Sequence, residues 1–113
     1  MFEIGLIHCD GTLVKKDYKI CNAYWERAAQ LGHRDSAYNV GINYYTGKGE
    51  KNIEKAIKYY KLASDRNEGK ASYNLGIIYE DKNSKYYDLK LSEFYFKKAL
   101  EQGIDQARKK LEA

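Results

Sequence analysis

The chain contains no proline among its 113 residues. Because proline is the residue that most strongly interrupts a helix, its absence permits uninterrupted helices along the whole chain. Cysteine is also scarce: Cys9 and Cys21 are too few for the disulfide framework of a small secreted protein. We therefore expect a protein of one domain in a reducing compartment.

A long hydrophobic run is also missing. The N-terminal stretch MFEIGLIHCDGTLVKK is interrupted by Glu3, and its apolar part ends at His8 and Asp10. It lacks the positively charged start and the apolar run of a secretory signal. No other stretch approaches the length of a membrane span. The sequence thus predicts no membrane contact and a cytoplasmic location.

The chain has no strong excess of one charge, since 20 Lys and Arg side chains face 16 Asp and Glu. A formal net charge of +4 is much weaker than the one-sided charge expected of a nucleic-acid-binding protein. The residue in unusual supply is tyrosine, with 12 copies. Tyrosine joins a large apolar ring to a polar tip, which suits the edge of a core or a binding surface.

The most informative feature is an internal repeat. Residues of matching type recur at intervals of 35 or 36 positions, which is typical of a helical repeat protein. The aligned columns are Gly5, Gly41 and Gly76; Trp25, Tyr60 and Phe96; Tyr24, Tyr59 and Tyr95; Ala28, Ala63 and Ala99; and Gly32, Asn67 and Gly103.

Each repeat carries two helical patterns, and the second is the clearer. Apolar residues recur at steps of three and four from Ile53 to Ala63, the mark of an amphipathic helix. Candidate N-caps precede this helix in the three repeats, namely Asp17, Asn52 and Asp88. Residues of the types that tolerate left-handed backbone follow this helix, namely Gly32, Asn67 and Gly103. The pattern predicts antiparallel helix pairs, about seven helices in all.

The first helix of each pair contains a glycine, at Gly5, Gly41 or Gly76. Glycine within a helix costs about 1 kcal/mol relative to alanine, so some other contact must offset that cost. The partner helix offers a small residue in register with each glycine, in the order Cys21, Ala56 and Ser92. We therefore expect each glycine to permit a close approach of two helices at a small-residue contact.

These columns resemble the Sel1-like repeat family, a relative of the tetratricopeptide repeats. Residues 36–68 match its pattern as S-YNVG-Y-TGKG-N-EKA-YYKLA, and residues 71–103 match as ASYNLG-Y-D-YFKKALEQG without the turn glycines. The resemblance implies an all-α fold, a short right-handed α-solenoid. It divides one domain, residues 1–113, into a degenerate unit at 1–32, units at 33–68 and 69–104, and a capping helix at 105–113.

No set of residues predicts catalysis, a metal site or a cofactor. The run His8-Cys9-Asp10 holds metal-binding residue types, but neighbouring helical residues point apart and cannot converge on one ion. Gly47-Lys48-Gly49 lacks the Lys-Ser or Lys-Thr that follows in a phosphate-binding loop. Cys21 is better explained as a small packing residue than as a disulfide partner of Cys9. We predict that the protein is not an enzyme.

The resemblance implies that the first helix of each unit lines a concave groove in which ligands bind. The residues expected to contact a partner are Tyr38, Asn39, Ile42, Tyr45, Tyr73, Asn74, Ile77 and Glu80. They lie off the stripe of Val40, Gly41 and Tyr44, which is expected to pack inward. Asn39 and Asn74 occupy a position that resembles the backbone-clamping asparagine of peptide-binding tetratricopeptide domains, because an amide both donates and accepts.

The chemistry of the partner is predicted from the charges on this face. Acidic residues predominate there, which favours a basic or apolar segment of another protein; they are Glu3, Asp10, Asp35, Glu80 and Asp81. The predicted function is thus that of a protein-interaction module or adaptor. The N-terminal apolar edge at Phe2, Ile4 and Ile7 additionally predicts a weak homodimer.

Two alternatives remain open. A small inhibitor or immunity-type protein would block a folded target with its whole surface, and 113 residues hold no separate effector domain. Nucleic-acid binding through the lysines of the outer helix is less favoured, because they do not interleave with the tyrosines. Those lysines are Lys51, Lys55, Lys58 and Lys61.

Overall fold

The computed structural model of the protein describes residues 18–48 and 51–112. Within these stretches the chain forms six helices and no strand. The helices are α1 (Tyr18–Gln30), α2 (Arg34–Thr46), α3 (Ile53–Asp65), α4 (Gly69–Glu80), α5 (Leu89–Glu101) and α6 (Gln106–Glu112). The predicted all-α fold is confirmed. The expected first helix of the first unit, Asp17, Cys9 and the N-terminal apolar edge lie outside the described residues, as does the Cys21 side chain.

Consecutive helices pack against one another as antiparallel neighbours, from α1 on α2 to α5 on α6. Each helix contributes a narrow apolar face to the layer between it and its neighbours. The main core cluster joins α1 to α4, with Val40, Tyr60 and Leu75 almost fully buried. A second cluster around Phe96 and Ala107 continues the core to α6. The core is thus a continuous layer along the row of helices, as expected of a helical repeat.

The second helix of all three units ends at the predicted residue, and the second helix of the second and third units begins at the predicted cap. Asn52 accepts a hydrogen bond from the Lys55 amide at 3.0 Å, and Asp88 accepts one from the Leu91 amide at 3.1 Å. The residues after α1, α3 and α5 adopt left-handed backbone, with φ of 105° at Gly32, 71° at Asn67 and 98° at Gly103. This conformation makes a turn in which backbone amides bond to the last carbonyls of each helix.

The helix pairs α2–α3 and α4–α5 are each closed by the same kind of backbone hydrogen bond, but their turns contain different residues. The Asn52 amide donates to the Tyr44 carbonyl at 2.9 Å, and the Asp88 amide donates to the Tyr79 carbonyl at 2.8 Å. The first turn uses Gly47 in left-handed backbone. The second has no glycine, and there side chains order the chain: Asp81 Oδ1 accepts from the Asn83 amide at 2.9 Å, and Ser84 Oγ accepts from the Tyr86 amide. Side-chain turns of this kind can replace glycine.

The helical glycines do permit close contact between paired helices. The predicted small residue lies against Gly76, since Ser92 Oγ donates to the Gly76 carbonyl at 2.9 Å. The space of the missing side chain is filled by an aromatic ring, which was not predicted from the sequence. A Cβ at Gly41 would lie 2.7 Å from the Tyr60 ring, and one at Gly76 would lie 2.6 Å from the Phe96 ring.

Candidate functional site

The predicted partner contacts fall on α2 and α4, the first helices of two successive units. Tyr38, Asn39, Ile42 and Tyr45 lie on α2, and Tyr73, Asn74, Ile77 and Glu80 lie on α4. Seven of them are half-buried, and only Tyr45 is exposed, at 39%. They therefore form neither the core nor a fully solvated surface, and such partly covered side chains suit the wall of a groove.

A cleft of about 360 Å³ brings three of these residues together between the two units. We call it the inner groove, and its lining is Tyr38, Lys70, Tyr73, Asn74, Ile104 and Gln106. Ile104 and Gln106 were not predicted, because the expected site was confined to α2 and α4. The repeat interval could have identified Gln106, which lies 36 positions after Lys70.

At the centre of the inner groove, Asn74 joins α4 to the preceding unit. Its side chain lies near the hydroxyls of Tyr38 and Tyr60, and the two rings lie 6.1 Å apart between centroids. Burial raises the pKa of both tyrosines, the Asn74 amide partly offsets that rise, and the negative charge of Glu68 adds to the rise at Tyr38. The Asn74 amide therefore faces two tyrosine hydroxyls of the preceding unit.

Asn39 occupies the matching position one unit earlier and differs in its partners. Its half-buried side chain forms no hydrogen bond to any residue in the part of the chain that the structure describes. Asn74 and Asn39 were predicted to act alike as clamps for a peptide backbone. Their surroundings distinguish them, because the Asn74 amide lies beside two tyrosine hydroxyls and, within the described residues, the Asn39 amide does not.

A second cleft, of about 300 Å³, lies at the opposite end of the same two helices. Its lining is Tyr45, Lys51, Ile53, Ile78, Asp81 and Ser84. Tyr38 lines the inner groove and Tyr45 lines this second cleft, and both rings approach Tyr60 from the surface. Seven helical residues separate them, a distance of about 10 Å along the helix axis.

The separation between site residues and packing residues is only partial, in contrast to the prediction. Tyr73 packs edge-on against Phe96 with 5.5 Å between ring centroids, and Ile77 joins the same cluster. Tyr38 and Ile42 pack against the main core in the same way. These large side chains contact the core with one edge and face the groove with the other. Their truncation will affect stability as well as binding.

The acidic residues predicted to set the charge of this face are mostly engaged. Glu80 binds Lys110 at 2.9 Å, and this hydrogen bond raises the pKa of Lys110. Asp35 lies 3.7 Å from Arg34, and Asp81 holds the turn through the Asn83 amide. Glu3 and Asp10 lie outside the described residues. Asp35 and Asp81 nevertheless remain exposed carboxylates, so the preference for a basic or apolar partner stays a prediction.

The described stretches contain neither a candidate membrane span nor a candidate metal site. None of the six helices described is long and apolar enough to cross a bilayer. Among residues 18–48 and 51–112, no three His, Cys, Asp or Glu side chains gather in a way that could hold a metal ion. The run His8-Cys9-Asp10 lies outside these stretches.

Known structures share this architecture. A Sel1 repeat protein from Oxalobacter formigenes superposes on 96% of the chain with a TM-score of 0.80 and 27% identity, and the match covers 44% of that structure. The protective antigen c5321 of uropathogenic Escherichia coli, described as having an SLR fold, matches 94% of the chain with a TM-score of 0.79 and 24% identity, over 23% of its own length.

Sequence comparison gives larger relatives and a family. Two Arabidopsis thaliana proteins named ERAD-associated E3 ubiquitin-protein ligase component, HRD3B and HRD3A, are 30% and 28% identical over 88 residues. That match covers 77% of the chain but only 15% and 13% of those proteins. The model of the Sel1 repeat matches residues 1–33, 34–68 and 69–104. The chain therefore belongs to the Sel1 repeat family.

Proposed function

We propose that the protein is an interaction module that holds an extended segment of a partner protein along α2 and α4. Sel1 repeats generally mediate protein interactions, and that general role supports the proposal. The observation that carries it is the inner groove, where Tyr38, Tyr73 and Asn74 from successive units share one cleft. No single unit contains this surface, so the repeat itself creates it.

The chemistry of the groove suits a peptide better than a small polar molecule. Half-buried tyrosines and isoleucines offer apolar area, and tyrosine is among the residues that most often dominate binding energy at protein interfaces. The Asn39 amide can both donate to and accept from a peptide backbone. The two clefts lie at opposite ends of α2 and α4, so a narrow extended chain that follows these helices would reach both.

The relatives support a role in assembly. The names of the two plant proteins describe components of a ligase, and the chain resembles a small part of each. For this chain we propose only the role of a protein-binding segment.

Affinity capture from the native cell with two matched variants tests the proposal. Asn39→Ala/Tyr45→Ala, the groove variant, alters the predicted binding face of α2 beside the inner groove. It changes the residue with an available amide and the most exposed aromatic ring of the site, which lines the second cleft. Lys58→Ala/Lys61→Ala alters two exposed residues of the outer helix α3. The groove variant should recover at least about tenfold less partner, and the lysine variant should recover the wild-type amount.

One observation favours the alternative, an inhibitor that contacts a folded target with its outer face. Phe94 and Leu89 on α5 are 55% and 58% exposed, which is unusual for such large apolar side chains. If the lysine variant loses the captured partner and the groove variant retains it, the outer face is the binding surface and the groove proposal fails.

A further inference from the structure

We infer that the inner groove selects an acidic segment: an extended peptide with a carboxylate side chain at Lys70 and an apolar side chain about three residues away in the second cleft. This inference rests on the proposed function and adds the chemistry of the partner. It differs from the charge preference expected from the sequence, because that expectation counted the acidic residues of the whole face and not the residues that line the inner groove.

The charge of the inner groove depends on which ionic groups are already paired. Glu80 is neutralised by Lys110, and Asp35 lies beside Arg34. Glu68 Oε1 accepts the Lys70 backbone amide at 3.3 Å and so caps α4. The Lys70 ammonium forms no ion pair with any residue in the described stretches. Glu68 keeps its negative charge but is not among the six residues that line the cleft. Lys70 is the only charged residue of those six, so the charge that the lining itself offers a ligand is positive.

Lys70 also occupies a position that folding alone does not favour. It is the second residue of α4, and the helix macrodipole disfavours a cation in the first turn. The equivalent residue of α2 is Asp35, the type that the dipole favours. The lysine charge is therefore repelled by the positive end of the helix dipole, and a ligand carboxylate would offset that repulsion.

The surroundings of Lys70 strengthen a charged contact. The rings of Tyr38 and Tyr73 and the side chain of Ile104 line the same cleft and exclude part of the water. An ion pair gains more in such a partly covered site than on an open surface. The Gln106 amide lies in the same lining and can donate to the second carboxylate oxygen.

The distance between the two clefts sets the spacing of the ligand residues. Tyr38 and Tyr45 mark their positions on α2, about 10 Å apart along the axis. An extended chain advances by about 3.3 Å per residue, so roughly three residues span that distance. The second cleft offers Ile53, Ile78 and the Tyr45 ring, which suit an apolar side chain.

A phage-displayed library of random 12-residue peptides, selected on the immobilised full chain, tests this inference. Enriched peptides should contain Asp or Glu with an apolar residue about three positions away. Fluorescence polarisation of the best synthetic peptides should show at least about tenfold weaker binding to Lys70→Glu. Lys61→Glu, the same charge reversal on the outer helix, should bind as the wild type does.

Each outcome bears on one of the two proposals. Peptides that lose binding with Asn39→Ala/Tyr45→Ala but show no acidic enrichment, or bind Lys70→Glu equally well, would overturn the inference and leave the groove function intact. Peptides that all bind this groove variant as tightly as the wild type would overturn the proposed function itself. Lys70→Glu should melt at or slightly above the wild-type temperature, because it removes a cation from the first turn of α4, so lost binding cannot be ascribed to unfolding.

Discussion

The Tyr60 ring lies in the space that a side chain at Gly41 would occupy, with 2.7 Å between its Cδ1 and the position of a Cβ. Phe96 has the same relationship to Gly76 in the next unit, at 2.6 Å. Real Cβ atoms do not approach another atom this closely. In each of these two units the glycine and the aromatic ring therefore form one packing contact between the paired helices.

Gly41→Leu should separate α2 from α3. Overpacking of this kind typically costs about 1–3 kcal/mol of the free energy of unfolding, even though leucine is the better helix former. Urea denaturation measures the loss. Lys61→Leu adds the same side chain at an exposed position of α3 and should change stability by less than about 0.5 kcal/mol. Equal stability of Gly41→Leu and the wild type would refute the packing role of the glycine.

Asn67 should tolerate glycine but not alanine. Its φ of 71° is left-handed backbone, which costs most L-residues about 1–2 kcal/mol and costs glycine little. Asn67→Ala should therefore lower the free energy of unfolding by about 1 kcal/mol, and Asn67→Gly should leave it nearly unchanged. If the two variants melt alike, the left-handed turn after α3 does not contribute to stability in this way.

A buried polar network should make Ser72→Ala more damaging than its size suggests. Ser72 Oγ donates to Gln102 Oε1 at 2.6 Å and accepts from Ser64 Oγ at 2.7 Å, and Gln102 Nε2 donates to the Ser64 carbonyl at 3.0 Å. The network joins α3, α4 and the end of α5. Ser72→Ala leaves two polar groups without partners and should cost about 1–3 kcal/mol.

The double variant Ser64→Ala/Ser72→Ala provides the control for this network. It removes both hydroxyls, so it should be less destabilising than the sum of the single variants. Strict additivity in chemical denaturation would show that the two serines do not act together.

Stability should fall at high pH partly through Tyr59. Burial, together with the hydrogen bond to Glu26, raises its pKa from 10.0 to about 12. Because the folded state holds the phenolic proton more tightly, this contribution is complete below pH 10 and is lost as the pH rises towards 12. The difference in unfolding free energy between wild type and Tyr59→Phe should narrow over that window. A difference independent of pH would contradict the assignment.

The sequence predicted those features that depend on local backbone chemistry. The caps at Asn52 and Asp88 and the left-handed residue Asn67 follow from residue type and position, and the structure confirms them. Contacts between units were harder to predict. The pairing of Asn74 with Tyr38 and Tyr60, and of Glu80 with Lys110, depends on the rotation between successive units, which one sequence does not define.

The footprint of the captured partner on isotope-labelled protein, measured by NMR, tests the central claim most directly. Binding along α2 and α4 should shift the backbone signals around Asn39, Tyr45, Lys70 and Tyr73 and leave those of the outer surface of α3 and α5 unchanged. Shifts confined to Lys58, Lys61 and Phe94 on the outer helices would contradict it.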